Sequence, residues 1–205
     1  MTKQADRDQL CGRPRQFVAD EVIDAALDVF WRQGYEATSA QDLCDSTGLG
    51  RGSLYNAFGS KHGLYEQALR RYHTQAWARI SAILAGDGEV KARLTALLHW
   101  AVAEELGRCA DKPNCMALFA VMERGQVDPL VTTLNEAYTR RLATQLTQLM
   151  QMGQQSGELS TAVSAQQLAH TFMSNYYGLR LMGQTLADKA ILADIVAGTV
   201  AHLAP

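Results

Sequence analysis

Proline is scarce in this chain, four in 205 residues, and cysteine is equally rare. So little proline leaves room for long uninterrupted helices and excludes collagen-like and proline-rich disordered classes. Four cysteines, Cys11, Cys44, Cys109 and Cys115, are too few for a disulfide scaffold. A chain of this length buries about 70% of its unfolded surface, so its core needs neither disulfide nor metal. No run of about 18 apolar residues occurs, which argues against a membrane span. The first eighteen residues mix Lys3, Asp6, Arg7, Asp8, Arg13 and Arg15 with no apolar core, so they do not read as a signal peptide. A soluble cytoplasmic protein with free thiols is expected. An excess of positive charge is also missing: 19 Lys and Arg face 21 Asp and Glu, a formal net charge of −2. Contact with nucleic acid would therefore need a local patch. No H-E-x-x-H or C-x-x-C motif occurs, and no nucleophile–base–acid set is visible. No metal, cofactor or enzyme activity is expected.

What is present is helical periodicity, almost throughout. From Ala19 to Gln33 the apolar positions Val22, Ile23, Ala26, Leu27 and Phe30 share one face, and Gly34 suits a helix end. Thr38 and Ser39 are N-cap candidates for a short helix ending near Thr47. Gly48-Leu49-Gly50 breaks the chain before a second short helix, Arg51 to Phe58, with Leu54 and Phe58 inward. Ser60 can cap a long helix from Lys61 to Leu84. Further helices are expected over Glu89–Leu106, Asn114–Arg124, Pro129–Gln155, Ser164–Met182 and Asp188–Leu203. The fold class is all-α.

Residues 37–58 form a helix-turn-helix pattern. The outward face of its second helix carries Arg51, Gly52, Ser53, Tyr55 and Asn56 rather than the Glu and Lys of an ordinary solvated face. Arginine can bridge guanine O6 and N7, and asparagine adenine N6 and N7. Ser53, Tyr55 and Lys61 can donate to phosphates. The competing reading is a surface helix with a packing tyrosine.

The stretch from Gly12 to Leu69 resembles the amino-terminal domain of the TetR family of transcriptional regulators. The matching pieces are Gly12-Arg13-Pro14-Arg15, Ala26, Phe30, Gly34-Tyr35, Thr38-Ser39, Asp42-Leu43, Gly48-Leu49, Gly52-Ser53-Leu54-Tyr55, Phe58 and Lys61. The resemblance covers about a third of the chain. It implies an amino-terminal arm over residues 1–16, a DNA-binding domain over 17–62 and a helical effector-binding and dimerisation domain over 63–205. Arg13 and Arg15 then resemble a minor-groove arm. Thr38 and Ser39 resemble phosphate contacts at a helix start, with Gln41 on the exposed first turn. Arg51, Gly52, Ser53, Tyr55 and Asn56 resemble a recognition helix, and Lys61 a phosphate-holding lysine. Asn56 and Ala57 depart from the aromatic or histidine residues frequent there, so base specificity does not carry over. Residues 1–61 hold seven Lys or Arg against nine Asp or Glu. Asp20, Glu21, Asp24 and Asp28 account for four of these acids, and weak non-specific DNA binding is expected.

In the last two helices Ile191, Leu192, Ile195, Val196, Thr199, Val200 and Leu203, and Leu168, Phe172, Tyr176 and Leu179, form apolar stripes. They fit either a four-helix dimer interface or the monomer's own core. A homodimer is expected because a helix-turn-helix reads a two-fold operator. Candidate lining for a small-molecule effector is His99, Trp100, Met116, Phe119, Met122, Phe172, Asn175, Tyr176 and Tyr177, against the plainer reading that they are core. Cys109 and Cys115 offer a redox or electrophile switch, or are ordinary thiols. The readings that remain are a ligand-responsive regulator, most readily a repressor, a regulator switched at Cys109/Cys115, and a small helical enzyme or interaction module.

Overall fold

A computed structural model of the chain describes residues 19–107, 115–186 and 188–205. Among them are nine helices and no strand: α1 (Ala19–Ala37), α2 (Ala40–Thr47), α3 (Arg51–Phe58), α4 (Lys61–Leu84), α5 (Val90–Leu106), α6 (Met116–Arg124), α7 (Pro129–Gln155), α8 (Ala165–Leu186) and α9 (Lys189–Ala201). None is long and apolar enough to cross a membrane. The helix starts follow local chemistry. Ser39 accepts from the Asp42 amide while the Asp42 carboxylate accepts from the Ser39 amide, a reciprocal cap. Ser60 caps α4, Asp128 caps α7 with Pro129 in its first turn, and Asp188 caps α9. Helix α8 runs four residues beyond the expected Met182, continuing through buried Gly183 to Leu186.

Two cores form. The first gathers α1, α2, α3 and the amino half of α4 around Phe30, Leu43, Leu54 and Tyr65, and it also takes Met116 and Ala120 of α6. The second packs the far end of α4 with α5, α7, α8 and α9 around Ile80, Leu97, Leu146 and Phe172. The cores succeed one another along α4 between Tyr72 and Ile80, so α4 is shared by both.

The apolar stripes of α8 and α9 belong to the second core. Leu168, Phe172, Tyr176, Leu179, Leu192, Val196, Thr199 and Leu203 are all buried within one copy. Ile195 and Val200 lie against the same core, half-buried. The association surface expected from these stripes is corrected accordingly. The outward face of α9 is instead Ala190, Ala193, Asp194, Ala197, Gly198 and Ala201, beside exposed Leu181, Met182 and Leu186 of α8.

His73 of α4 is buried between the rings of Tyr72 and Tyr138, and neither ring nitrogen has a hydrogen-bond partner. Burial pushes its imidazole down from the ordinary 6.5 to about 4. The unfolded chain therefore takes up a proton before the folded one does. Stability should be lost as pH falls from 6.5 towards 4, by up to about 3 kcal/mol in all. Denaturant melts of wild type and His73→Phe across that range test this. An equal pH slope in both proteins would refute it.

Candidate nucleic-acid interface and effector cavity

The DNA-facing geometry begins at Gly34. Its φ of 82° and ψ of 173° interrupt α1 in a region of backbone space that only glycine occupies readily. The break removes helical acceptors from the next amides, and the Glu123 carboxylate of α6 replaces them, accepting from the N–H of Tyr35 and of Glu36 at 2.9 Å each. Arg124 adds an ion pair to Glu36 and lies 4.5 Å over the Tyr35 ring. It also reaches Asp128, which bonds His62 at 2.9 Å. Helix α6 is thus fastened to the turn leading into α2.

Lys61 closes the same turn from the other side. Its ammonium donates to the Tyr35 and Thr38 carbonyls, 2.8 Å each, and sits 4.3 Å over the Tyr35 ring. An ammonium has three donors, so one remains for a phosphate. Thr38 is placed differently from the expectation for its side chain. It is buried, and its hydroxyl donates to the Gly34 carbonyl at 2.5 Å, so the hydroxyl cannot face a phosphate. Ser39 and Gln41 are exposed, Gln41 donating to Asp45 at 2.8 Å.

Gly48, with φ 68°, turns the chain between α2 and α3. Leu54 and Phe58 anchor α3 in the core, which leaves Arg51, Gly52, Ser53, Asn56 and Ala57 exposed and Tyr55 half-buried. The Arg51 guanidinium lies 5.7 Å from the Tyr55 ring centre. Gly50 supplies no side-chain cap, so the first-turn amides of α3 point outward unsatisfied by the cap residue. The helix carries one formal charge, Arg51. The acids of α1 are partly neutralised: Arg71 of α4 bonds Asp24 at 2.9 and 2.8 Å and reaches Asp20. Those bonds hold the Asp24 carboxyl below its usual range. Arg13 and Arg15 lie outside the described residues.

The expected effector-lining residues do not converge. Met116 and Phe172 are buried in different cores, His99 is exposed and Met122 is 73% exposed. Phe119 packs beneath Gly34, and Asn175 is half-buried. Helix α6 turns its apolar face to α1 and α4, which removes Met116 and Phe119 from any effector cavity. Trp100 does line one. A cavity of about 200 Å³ lies between α1, α4, α5 and α8, walled by Trp31, Tyr72, Arg79, Trp100, Glu104 and Arg180 among others. Arg180 is buried there, donates to the Tyr176 hydroxyl at 3.2 Å and pairs with Glu105 at 3.3 Å. Its Nε has no partner. Trp31 and Arg180 were not among the candidates. The signal for Arg180 was in view, since it is the one charged residue of α8.

Cys115 is buried, and the Tyr72 hydroxyl donates to its sulfur at 3.4 Å. That placement denies a reagent direct access to the thiol. Cys109 lies outside the described residues. No cluster of three or more metal-ligating side chains occurs among the described residues.

A capped helix, a glycine turn and an exposed, acid-free second helix on a three-helix core make a helix-turn-helix DNA-binding module joined to a helical domain. A family model described as "Bacterial regulatory proteins, tetR family" matches residues 22–68. The HTH-type transcriptional repressor ComR of Escherichia coli (strain K12) is 46% identical over 61 residues, 30% of this chain and 29% of that protein. The HTH-type transcriptional repressor BdcR of the same organism is 36% identical over 109 residues, 52% of this chain and 54% of that protein. These matches thus span about a third and about half of the relatives' lengths. A cysteine mutant of the TetR family transcriptional regulator CifR, complexed with 26-bp double-strand operator DNA, superposes with a TM-score of 0.77 at 26% identity, covering 94% of this chain and 100% of that one. The chain thus carries the DNA-binding module of the TetR family by sequence over residues 22–68, and shares the fold of TetR-family regulators over nearly all of its length.

Proposed function

We propose that the chain is a transcriptional repressor that binds a two-fold operator as a homodimer and is released by a small-molecule effector. The observation that carries this is α3: Arg51, Ser53 and Asn56 stand exposed on a helix with no acid, held by Leu54 and Phe58. Arg51 and Asn56 read base edges, while Ser39, Tyr55 and the third donor of Lys61 hold phosphates. Arg13 and Arg15 supply the arm. The effector takes the cavity beneath Arg180, which Trp31 of α1 shares with α4, α5 and α8. An occupant there touches the DNA-binding module directly, so it can favour a spacing of the two recognition helices that no longer fits the major groove. The small-residue face of α9 and the exposed apolar end of α8 are the dimer surface in this reading.

Arg51→Ala should cost about 1–3 kcal/mol on the best site and relax preference at one position. Selection of bound sequences from a random duplex pool, followed by titration of the variant, measures both. A pool that yields no two-fold site, or a variant that binds its best site as well as wild type, would remove the assignment. Lys61→Ala is expected to do more than weaken phosphate binding evenly, because it also frees the Tyr35 and Thr38 carbonyls. A lowered melting temperature should accompany its loss of affinity.

A further inference from the structure

A second cavity, of about 370 Å³, lies between α4 and α7, away from the recognition helix and from the space beneath Arg180. Its walls include Arg70, His73 and Trp77 from α4 and Tyr138 and Arg141 from α7. His73 is nine-tenths buried at the base of this wall, with both ring nitrogens unpartnered. A core histidine that serves packing alone normally bonds a carbonyl or hydroxyl. Arg141 is the second unusual group. Its guanidinium lies 3.8 Å from the Trp77 ring centre, stacked on the indole. Stacking uses the face of the guanidinium and leaves its in-plane N–H donors available. No carboxylate among the described residues pairs with Arg141, whereas its neighbour Arg140 pairs with Glu136 and Arg70 pairs with Glu66. No aspartate or glutamate lines the cavity.

We propose that this cavity binds a small planar aromatic carboxylate, with its carboxylate on the Arg141 fork and its ring against Tyr138 and Trp77. The donor fork matches a carboxylate in two parallel hydrogen bonds. The aromatic walls, with Trp77 and Tyr138 at 87° to each other and 6.4 Å apart, offer one face and one edge to a flat ring. His73 supplies a donor or an acceptor to a ring substituent or to the second carboxylate oxygen. Neutral at pH 7, it adds no charge that would attract an anion without regard to shape. The volume suits a bicyclic ring system. The wall residues of α4 lie about two and a half to four and a half turns along from Lys61, so an occupant bears on the helix that holds the α1–α2 turn. That consequence rests on the operator reading; the binding does not.

The test titrates the full chain with 1-naphthoate by calorimetry and by quenching of tryptophan fluorescence in a variant that keeps Trp77 alone (Trp31→Phe with Trp100→Phe), with 1-naphthamide as its neutral isostere. The folded protein should bind naphthoate at least about tenfold more tightly than the amide. Arg141→Gln should abolish that preference. His73→Phe, which keeps the ring volume, should weaken naphthoate about tenfold, with a thermal melt at neutral pH establishing that it is folded. Arg79→Gln, in the other cavity, should leave the affinity unchanged. The proposal is overturned if wild type does not bind at millimolar naphthoate, or if the preference for the acid survives in Arg141→Gln. It is also overturned if His73→Phe binds as wild type does, or if Arg79→Gln abolishes binding. None of these arms uses DNA, so their failure leaves the operator reading standing, and failure of operator selection leaves the cavity standing.

Discussion

Gly34→Ala is expected to destabilise the protein by about 3 kcal/mol or more. Two costs combine. The residue sits at φ 82°, ψ 173°, where an L side chain is strained whatever space surrounds it. The space is also taken: an added Cβ would lie 2.7 Å from a Glu123 carboxylate oxygen and 3.0 Å from the Phe119 ring. Relief requires α6 to back away, which withdraws Glu123 from the amides of Tyr35 and Glu36. Urea melts should show a lower midpoint with an unchanged slope. DNA binding should fall as well, because the turn into α2 loses its support. Glu123→Ala separates the two costs, since it removes the carboxylate but keeps the glycine conformation, and it should destabilise less. A Gly34→Ala protein that melts within about 0.5 kcal/mol of wild type would show that the joint is not built this way.

The second large effect distinguishes the two faces of α9. Val196→Asp or Leu192→Asp places a carboxylate in a site that is 4% or 1% exposed within a single copy. An uncompensated buried charge of this kind should cost about 3 kcal/mol or more, and loss of helical signal at lower denaturant should follow. Ala197→Arg acts on the outward face instead. If two copies meet there, the variant should elute as a monomer with its helical content intact and lose operator affinity. A Val196→Asp protein that remains folded and merely dissociates would place the interface on the stripe after all. An Ala197→Arg protein that stays dimeric would move the interface away from this face.

These two faces also explain what the sequence could and could not disclose. Apolar periodicity in α8 and α9 announces that one side is covered, but not by what; the structure covers it with the same chain. The outward face of α9 consists of alanines and a glycine around a single acid, Asp194, and such small residues carry little periodic contrast. The boundaries of α4 and α7 were legible to the residue because Gly59-Ser60, Asp128-Pro129 and their caps are local signals. The recognition helix was legible for the same reason: its chemistry lies within eight residues. The cavity beneath Arg180 was not, because it is assembled from α1, α4, α5 and α8, which are distant in sequence. Thr38 shows the limit within the motif itself. Its residue type suits a phosphate contact, but the break at Gly34 turns its hydroxyl inward to a freed carbonyl.

The hold of Glu123 on main-chain amides bears on how this regulator could be recombined. A carboxylate that reads the backbone is indifferent to which side chains follow the glycine, provided neither is proline. Drift at positions 35 and 36 therefore leaves these two hydrogen bonds in place and costs only the Arg124 contacts to the Tyr35 ring and the Glu36 carboxylate, while the glycine and the distant glutamate must travel together. A hybrid made by grafting a foreign DNA-binding module onto this helical domain would keep the Glu123 contact only if the donor brings a glycine in the same conformation at the matching point. Grafts lacking it should lose that contact, and with it stability and DNA affinity, as Gly34→Ala does.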